Sequence, residues 1–142
     1  MRLLLVEDDE IQIRLYERTI AESFDDIELD VNREVAEAIV TVDAVSRNDV
    51  PDLVLLDLRL PDGSGFEVLD RIRARRDLVD VPVMVWSGSD LPADMNTAYA
   101  SGASAYLVKP QDLDGLRTQV RDSISFWRHV SRAPGGERPN GL

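Results

Sequence analysis

Residues 53 to 65 read LVLLDLRLPDGSG, and the fold turns on how this stretch is read. Leu53 to Leu56 are four apolar residues in a row, the pattern of a strand covered on both faces, as in a parallel sheet. Asp57 then sets a carboxylate at the strand's carboxyl end, directly before a turn marked by Pro61, Gly63 and Gly65. A charge at the end of a buried strand needs a reason.

Apolar runs of the same kind recur along the chain. Leu3–Val6, Ile27–Val31, Val81–Trp86 and Ala105–Val108 read as further strands, with helical patterns over roughly 10–23, 33–47, 65–76, 93–101 and 112–130 between and after them. Five strands interleaved with five helices predict an α/β domain built on a doubly wound parallel sheet. Ser64 is a candidate helix N-cap and Gly102 a candidate helix end. The last residues, SRAPGGERPNGL, are too rich in Pro, Gly and polar side chains to build a core. The expected organisation is one domain over 1–130 and a disordered tail over 131–142.

The bulk numbers narrow the function. A chain of 142 residues, 44% hydrophobic and 30% charged, can bury a real core. Its net charge of −11 argues against nucleic-acid binding through a general basic surface and suits a cationic partner or a metal ion. With no cysteine, disulfides and thiolate metal sites are excluded. The apolar run at the start is too short for a signal peptide, which needs about 7–15 such residues, or for a membrane span of about 20. The expectation is a cytoplasmic protein. A single lysine, Lys109, stands among many arginines and aspartates; GC-rich coding and adaptation to high salt explain that bias equally well.

In an open parallel sheet, ligands bind beyond the carboxyl ends of the strands, where the strand order reverses. Glu7, Asp8 and Asp9 follow the first strand, Asp57 the third, Ser87 the fourth and Lys109 the fifth. Three carboxylates about 4–6 Å apart repel by a few kcal/mol per pair at an effective dielectric near 20, a cost tolerated where a cation binds. All-oxygen ligands point to a hard ion, Mg²⁺ foremost. Lys109 and Ser87 opposite that ion suit a phosphoryl group, with Asp57 placed to attack it in line. Each residue alone has a plainer reading: Asp8 and Asp9 as helix caps, Asp57 as a turn residue, Ser87-Gly88 as a turn. Their joint placement after four strands favours a site.

Four segments, LLLVEDDE, LVLLDLRLPDGSGFEVL, VPVMVWSGSD and GASAYLVKP, resemble in order and spacing the motifs of the response-regulator receiver domain. The resemblance covers residues 1 to about 130. It implies a flavodoxin-like receiver fold with strand order 2-1-3-4-5. It implies that Asp57 accepts a phosphoryl group from a sensor histidine kinase. Mg²⁺ would be held by Glu7, Asp8, Asp57 and the backbone carbonyl of Arg59. Lys109 and Ser87 would contact the phosphoryl group, Tyr106 would be the switch aromatic, and Lys109–Pro110 would be a cis bond. VEDDEIQIRL, AYASGASAYLVKPQDLDGL and SFWRHV further resemble single-domain regulators that partner phytochrome-like kinases. That likeness implies a homodimer through the fourth and fifth helices and the fifth strand.

Two positions depart from the family's habit. Arg59 is a cation two residues past the phosphoacceptor, and Trp86 is bulky beside Ser87; both are expected to alter the lifetime of the aspartyl phosphate. On the last helix Leu113, Leu116, Val120, Ile124 and Trp127 form a stripe, which from Leu113 through Ile124 is expected to pack on the sheet. Phe126 lies off that stripe, so Phe126 and Trp127 are the candidate dimer contact. His129 sits too far along to serve as an internal phosphodonor.

The leading expectation is a stand-alone switch acting through protein contacts, because the sequence after the fifth helix is too short for an output module. It would catalyse only its own phosphorylation and dephosphorylation. A phosphohydrolase with an aspartyl-phosphate intermediate wants an acid where Arg59 stands. A phosphorylation-independent scaffold would not need the complete set of Glu7, Asp8, Asp57, Ser87 and Lys109. A dinucleotide-binding protein would want a glycine-rich turn after the first strand.

Overall fold

A computed structural model describes residues 1–130, the last of them by its backbone alone; the tail expected over 131–142 lies outside the described residues. Five strands make one sheet: β1 (Arg2–Val6), β2 (Glu28–Asn32), β3 (Leu53–Leu56), β4 (Val83–Ser87) and β5 (Ala105–Val108). They are parallel throughout and ordered β2-β1-β3-β4-β5. The helices are α1 (Glu10–Ser23), α2 (Val35–Ala44), α3 (Gly65–Ala74), α4 (Pro92–Ala100) and α5 (Leu113–Val130). The order reverses between β1 and β3, which places the ends of those two strands at the crevice where such sheets bind ligands.

Successive side chains on a strand point to opposite faces, and β1 divides the core accordingly. Leu3 and Leu5 pack with Ile13, Tyr16 and Ile20 of α1 and with Leu116, Val120 and Ile124 of α5. Leu4 and Val6 pack with Val35, Ala38 and Val42 of α2 and with Val68, Leu69 and Ile72 of α3. A smaller cluster of Leu58, Val85 and Ala98 lies beneath α4.

The boundaries that shifted have local causes. α2 begins at Val35, two residues later than the sequence pattern suggests, because its free N–H groups at Val35 and Ala36 donate to the Asp62 carboxylate at 2.7 and 2.9 Å. It ends at Ala44, where the Arg75 guanidinium donates to the carbonyls of Val42 and Val45. β4 starts at Val83 because Val81 instead closes a 3₁₀ turn onto Leu78. Ser64 caps α3 in a reciprocal capping box with Glu67, and Gly102 leaves α4 in the left-handed region that glycine tolerates, at φ 99°.

Three expectations are corrected. Lys109–Pro110 is trans, since the described residues contain no cis peptide bond; trans is the form an X–Pro bond favours by about 0.5–1 kcal/mol. Leu113 is exposed rather than packed on the sheet; the buried side of α5 begins at Leu116, which joins the cluster of Leu3, Leu5 and Trp86. Trp86 does not stand beside Ser87 over the crevice. Neighbouring residues on a strand face opposite ways, so Trp86 enters the α1–α5 layer and is 2% exposed.

Candidate functional site

The carboxyl ends of β1, β3, β4 and β5 carry the site. Glu7 follows β1 in register with β2 and β3: its N–H donates to the Asn32 carbonyl and that of Asp57 to the Val6 carbonyl, both at 3.0 Å. This ladder holds the two acids side by side. Carboxylate oxygens of Glu7, Asp8 and Asp57 all lie within 4.8 Å of one another. Asp9 takes the capping role instead, accepting the Gln12 N–H at 3.0 Å at the start of α1, which leaves Asp8 free for the crevice.

Lys109 reaches into this cluster from the end of β5. Its ammonium donates to Glu7 Oε2 at 2.8 Å, to Asp57 Oδ2 at 3.1 Å and to Gln12 Oε1 at 2.7 Å. An ammonium has three donors, and all three are used. Burial opposes the lysine's charge, but Asp57 and Glu7 outweigh it and hold the ammonium above its ordinary range. Burial first, and the Asp57 anion second, push Glu7 up to about 7 while Lys109 pulls the other way. Three carboxylates against one ammonium leave a formal charge of −2, which a divalent cation balances. The donors are all oxygens, and a small contraction from 4.8 Å would seat them around a hard ion with ligands at about 2.0–2.1 Å.

The loop after Asp57 is tightly held. The Arg59 N–H donates to Asp57 Oδ1 at 3.3 Å, and Arg59–Leu60 pairs antiparallel with Gly63–Ser64 in a short ladder. The Arg59 residue itself is exposed. The Gly65 N–H donates to the Leu58 carbonyl at 2.9 Å. A Cβ at Gly65 would stand 2.1 Å from the Asp57 carbonyl oxygen, so any side chain there would push the loop and its acid out of place.

Ser87 and Tyr106 meet at a third residue. The Ser87 hydroxyl oxygen accepts the Ser89 N–H at 3.1 Å, and the Tyr106 hydroxyl donates to the Ser89 carbonyl at 2.8 Å. Tyr106 is also tied to α4, its N–H donating to the Tyr99 hydroxyl at 3.0 Å. Ser87 is buried and Tyr106 half-buried. Phe126 and Trp127 lie outside this group, about 20 Å along α5 from its first turn. They pack edge to face at 5.4 Å, with Phe126 exposed.

Sequence reasoning missed Gln12 as the third partner of Lys109. A signal existed: Gln12 shares the stripe of Ile13, Tyr16 and Ile20, so a polar residue stands at the rim end of a buried helix face. Asp62 lies in the turn marked by Pro61, Gly63 and Gly65, yet its carboxylate caps a helix from a different segment. Nothing in the local pattern points to that partner.

Residues 3–121 match the response regulator receiver domain family. Among curated proteins, the chain is 33% identical over 135 residues to response regulator Rcp1 of Synechocystis sp., covering 93% of this chain and 92% of that protein. It is 37% identical over 86 residues to the probable methanogenesis regulatory protein FilR2 of Methanothrix harundinacea, covering 61% of this chain and 56% of that one. The chain thus spans only about half of some relatives and nearly all of others. Among solved structures, the Mn²⁺-bound form of Rcp1 superposes with a TM-score of 0.84 at 33% identity, covering 94% of this chain and 99% of that one. The phosphorylated cyanobacterial phytochrome response regulator RcpA does so with a TM-score of 0.84 at 31% identity, covering 94% and 98%.

Proposed function

The chain belongs to the response regulator receiver domain family, and from that premise we propose that residues 1–130 form a stand-alone receiver that takes a phosphoryl group on Asp57 from a sensor histidine kinase, in a Mg²⁺-dependent reaction. The observation supporting this reading is the meeting of Glu7, Asp8 and Asp57 within 4.8 Å, with the Lys109 ammonium 3.1 Å from the Asp57 carboxylate. Mn²⁺-bound Rcp1 and phosphorylated RcpA are similar proteins in which such a metal and such a modification occur.

In the proposed step an Asp57 oxygen attacks the phosphorus of a phosphohistidine. The new O–P bond forms as the P–N bond breaks, and the imidazole nitrogen leaves with the electron pair. Glu7, Asp8, Asp57 and the Arg59 carbonyl would hold Mg²⁺, which when bound offsets charge on the transferred group. Lys109 exchanges its Asp57 contact for a phosphoryl oxygen. Ser87 turns its hydroxyl from Ser89 toward another, freeing the loop that Tyr106 also grips and shifting the population of the α4–β5 face. The exposed Ile11, Val108 and Leu113 border the opening beside Lys109 and offer an apolar surface for the kinase to cover. A phytochrome-like kinase fits the likeness to RcpA.

The decisive experiment is incubation with acetyl phosphate and Mg²⁺ followed by intact mass measurement. The wild type is expected to gain one phosphoryl group and Asp57→Asn none. Equal gain in both, or none in the wild type, ends the proposal. In the same assay Arg59→Asn is expected to change the decay rate of the phosphorylated form; an unchanged rate removes Arg59 from lifetime control. Output runs through protein contacts, with a homodimer on the face of α4, β5 and α5 centred on Phe126 and Trp127. Sedimentation of the wild type and Phe126→Ser, each with beryllofluoride as a phosphoryl mimic, tests this; a monomeric wild type rejects it.

A further inference from the structure

Lys109 is gripped at both ends by residues that reach it through one continuous path. Its ammonium donates to Gln12 Oε1 at 2.7 Å. The same oxygen accepts the Tyr16 hydroxyl at 3.2 Å, one turn further along α1. The Tyr16 ring, fully buried, lies flat on Trp86 with centroids 5.0 Å apart and planes 9° from parallel. The Trp86 indole N–H donates to Gln119 Oε1 on α5. Gln119 Nε2 donates in turn to the carbonyl of Val108 at 3.0 Å, the residue before Lys109. The path therefore closes on the peptide unit that joins Val108 to Lys109.

We propose that Gln12 and Gln119 are positioning residues for Lys109, joined through the Tyr16–Trp86 stack into a closed circuit that makes the reach of the lysine and the seating of α5 move together. This rests on the phosphoryl switch proposed above and goes beyond it. The chemistry of the three lysine contacts gives the reason. Two of the acceptors, Glu7 and Asp57, are carboxylates whose charge is shared with a metal ion and altered by phosphorylation. Gln12 is the neutral acceptor, and it sits on a different element. It keeps its hold while the Asp57 contact is traded for a phosphoryl oxygen. Tyr16 stays a donor throughout, because burial and the nearby anions Glu7, Asp57 and Asp9 push its hydroxyl well above the usual range.

Buried Tyr and Trp polar atoms need partners in any core, but here the partners are two amides, one bonded to Lys109 and the other to the residue before it. The offset stack between them transmits displacement, since close-packed rings have no slack to absorb it. A pull on the ammonium thus reaches Trp86 and, through Gln119, α5. Trp86 itself acts on the site at a distance, through Tyr16 and Gln12, and not by shielding water directly.

The test uses the full chain carrying Trp127→Phe, which leaves Trp86 as the one tryptophan of the two in the sequence. Phosphorylation by acetyl phosphate with Mg²⁺ is followed by intact mass and by Trp86 emission. Gln12→Leu and Gln119→Leu are each checked for folding by circular dichroism. Gln119→Leu, which loses only bonds between neutral groups, is expected to slow phosphorylation at saturating donor roughly 3- to 10-fold, and Gln12→Leu, which also loses a bond from the charged ammonium, by at least as much. The donor concentration for half-maximal rate should move less. Gln119→Leu is the informative variant, because Gln119 touches neither carboxylate nor ammonium and a purely structural role would alter stability alone. Tyr16→Phe keeps the stack but cuts the link to Gln12, and should at least halve the emission change on phosphorylation. The inference is overturned if either folded glutamine variant matches the starting protein in rate, or if Tyr16→Phe keeps the full emission response. Those results leave the proposed function standing as long as Asp57 is phosphorylated. Failure of the wild type to gain a phosphoryl group brings down both.

Discussion

The two faces of the sheet are built differently. On the α2–α3 side, every buried member of the cluster is aliphatic: Leu, Val, Ile or Ala. On the α1–α5 side, Tyr16 and Trp86 stack in the middle of the layer; half-buried Gln12 ties Tyr16 to Lys109, and half-buried Gln119 ties Trp86 to the carbonyl of Val108. Both faces bury apolar side chains against the same strands, and they differ in the aromatic and amide groups that only the second carries. An aliphatic layer packs without directional demands and tolerates changes in the site above it. A layer with hydrogen-bonded aromatic rings has a preferred geometry, and each of its polar atoms costs about 1–3 kcal/mol if left unpaired. The first face holds the sheet; the second also registers what happens at its rim.

The sharpest way to break this contrast is to damage the aliphatic face. Leu69 is fully buried there, and Leu69→Ala should lower stability by about 2–5 kcal/mol through lost burial and a residual cavity. Urea denaturation measures the loss, while phosphorylation per folded molecule should stay at the wild-type rate. A parallel fall in rate would mean that the two faces are equally coupled to the site.

Trp86→Phe asks the converse question. It keeps an aromatic ring against Tyr16 and costs roughly 1–3 kcal/mol from the smaller volume and the orphaned Gln119 carbonyl. Although the stability loss is smaller than for Leu69→Ala, the decay of phosphorylated protein, followed by intact mass, should change. An unaltered decay would reduce the stack to packing.

Asp62 gives the smallest effect and concerns the loop that joins the aliphatic face to Asp57. The N–H groups of Ala36 and Val35 hold its carboxylate below the ordinary value of 3.8. A depressed carboxylate stabilises the fold above its unfolded value and loses that contribution as pH falls through the folded one. Asp62→Ala should therefore lower the urea midpoint at neutral pH, with the gap to wild type closing below about pH 3.8. A gap that persists in acid would show that the side chain's packing, and not its charge, matters.

Much of the site was legible along the chain because each of its acids, its hydroxyl and its lysine directly follows an apolar run. Parallel topology sends all strand ends to one rim, so position after a strand suffices to group Glu7, Asp8, Asp57, Ser87 and Lys109. The same logic misled for Trp86. It precedes Ser87 in sequence, but strand alternation sends it to the opposite face, among the residues of α1 and α5. Leu113 failed for a related reason: helical periodicity predicts a stripe but not where along the helix its burial begins.

The sequence by itself determined the five strands, the five helices and the acids, hydroxyl and lysine that crown the sheet, because periodicity and turn chemistry are local properties. Only the tertiary structure decided that Gln12 grips a lysine 97 residues away, that Asp62 caps a helix 26 and 27 residues before it, and that Trp86 joins α1 to α5. Those contacts are hydrogen bonds and ring stacks between segments far apart in the chain. Their partners are chosen by which faces the packed layers bring together, and no periodicity within one segment encodes that choice.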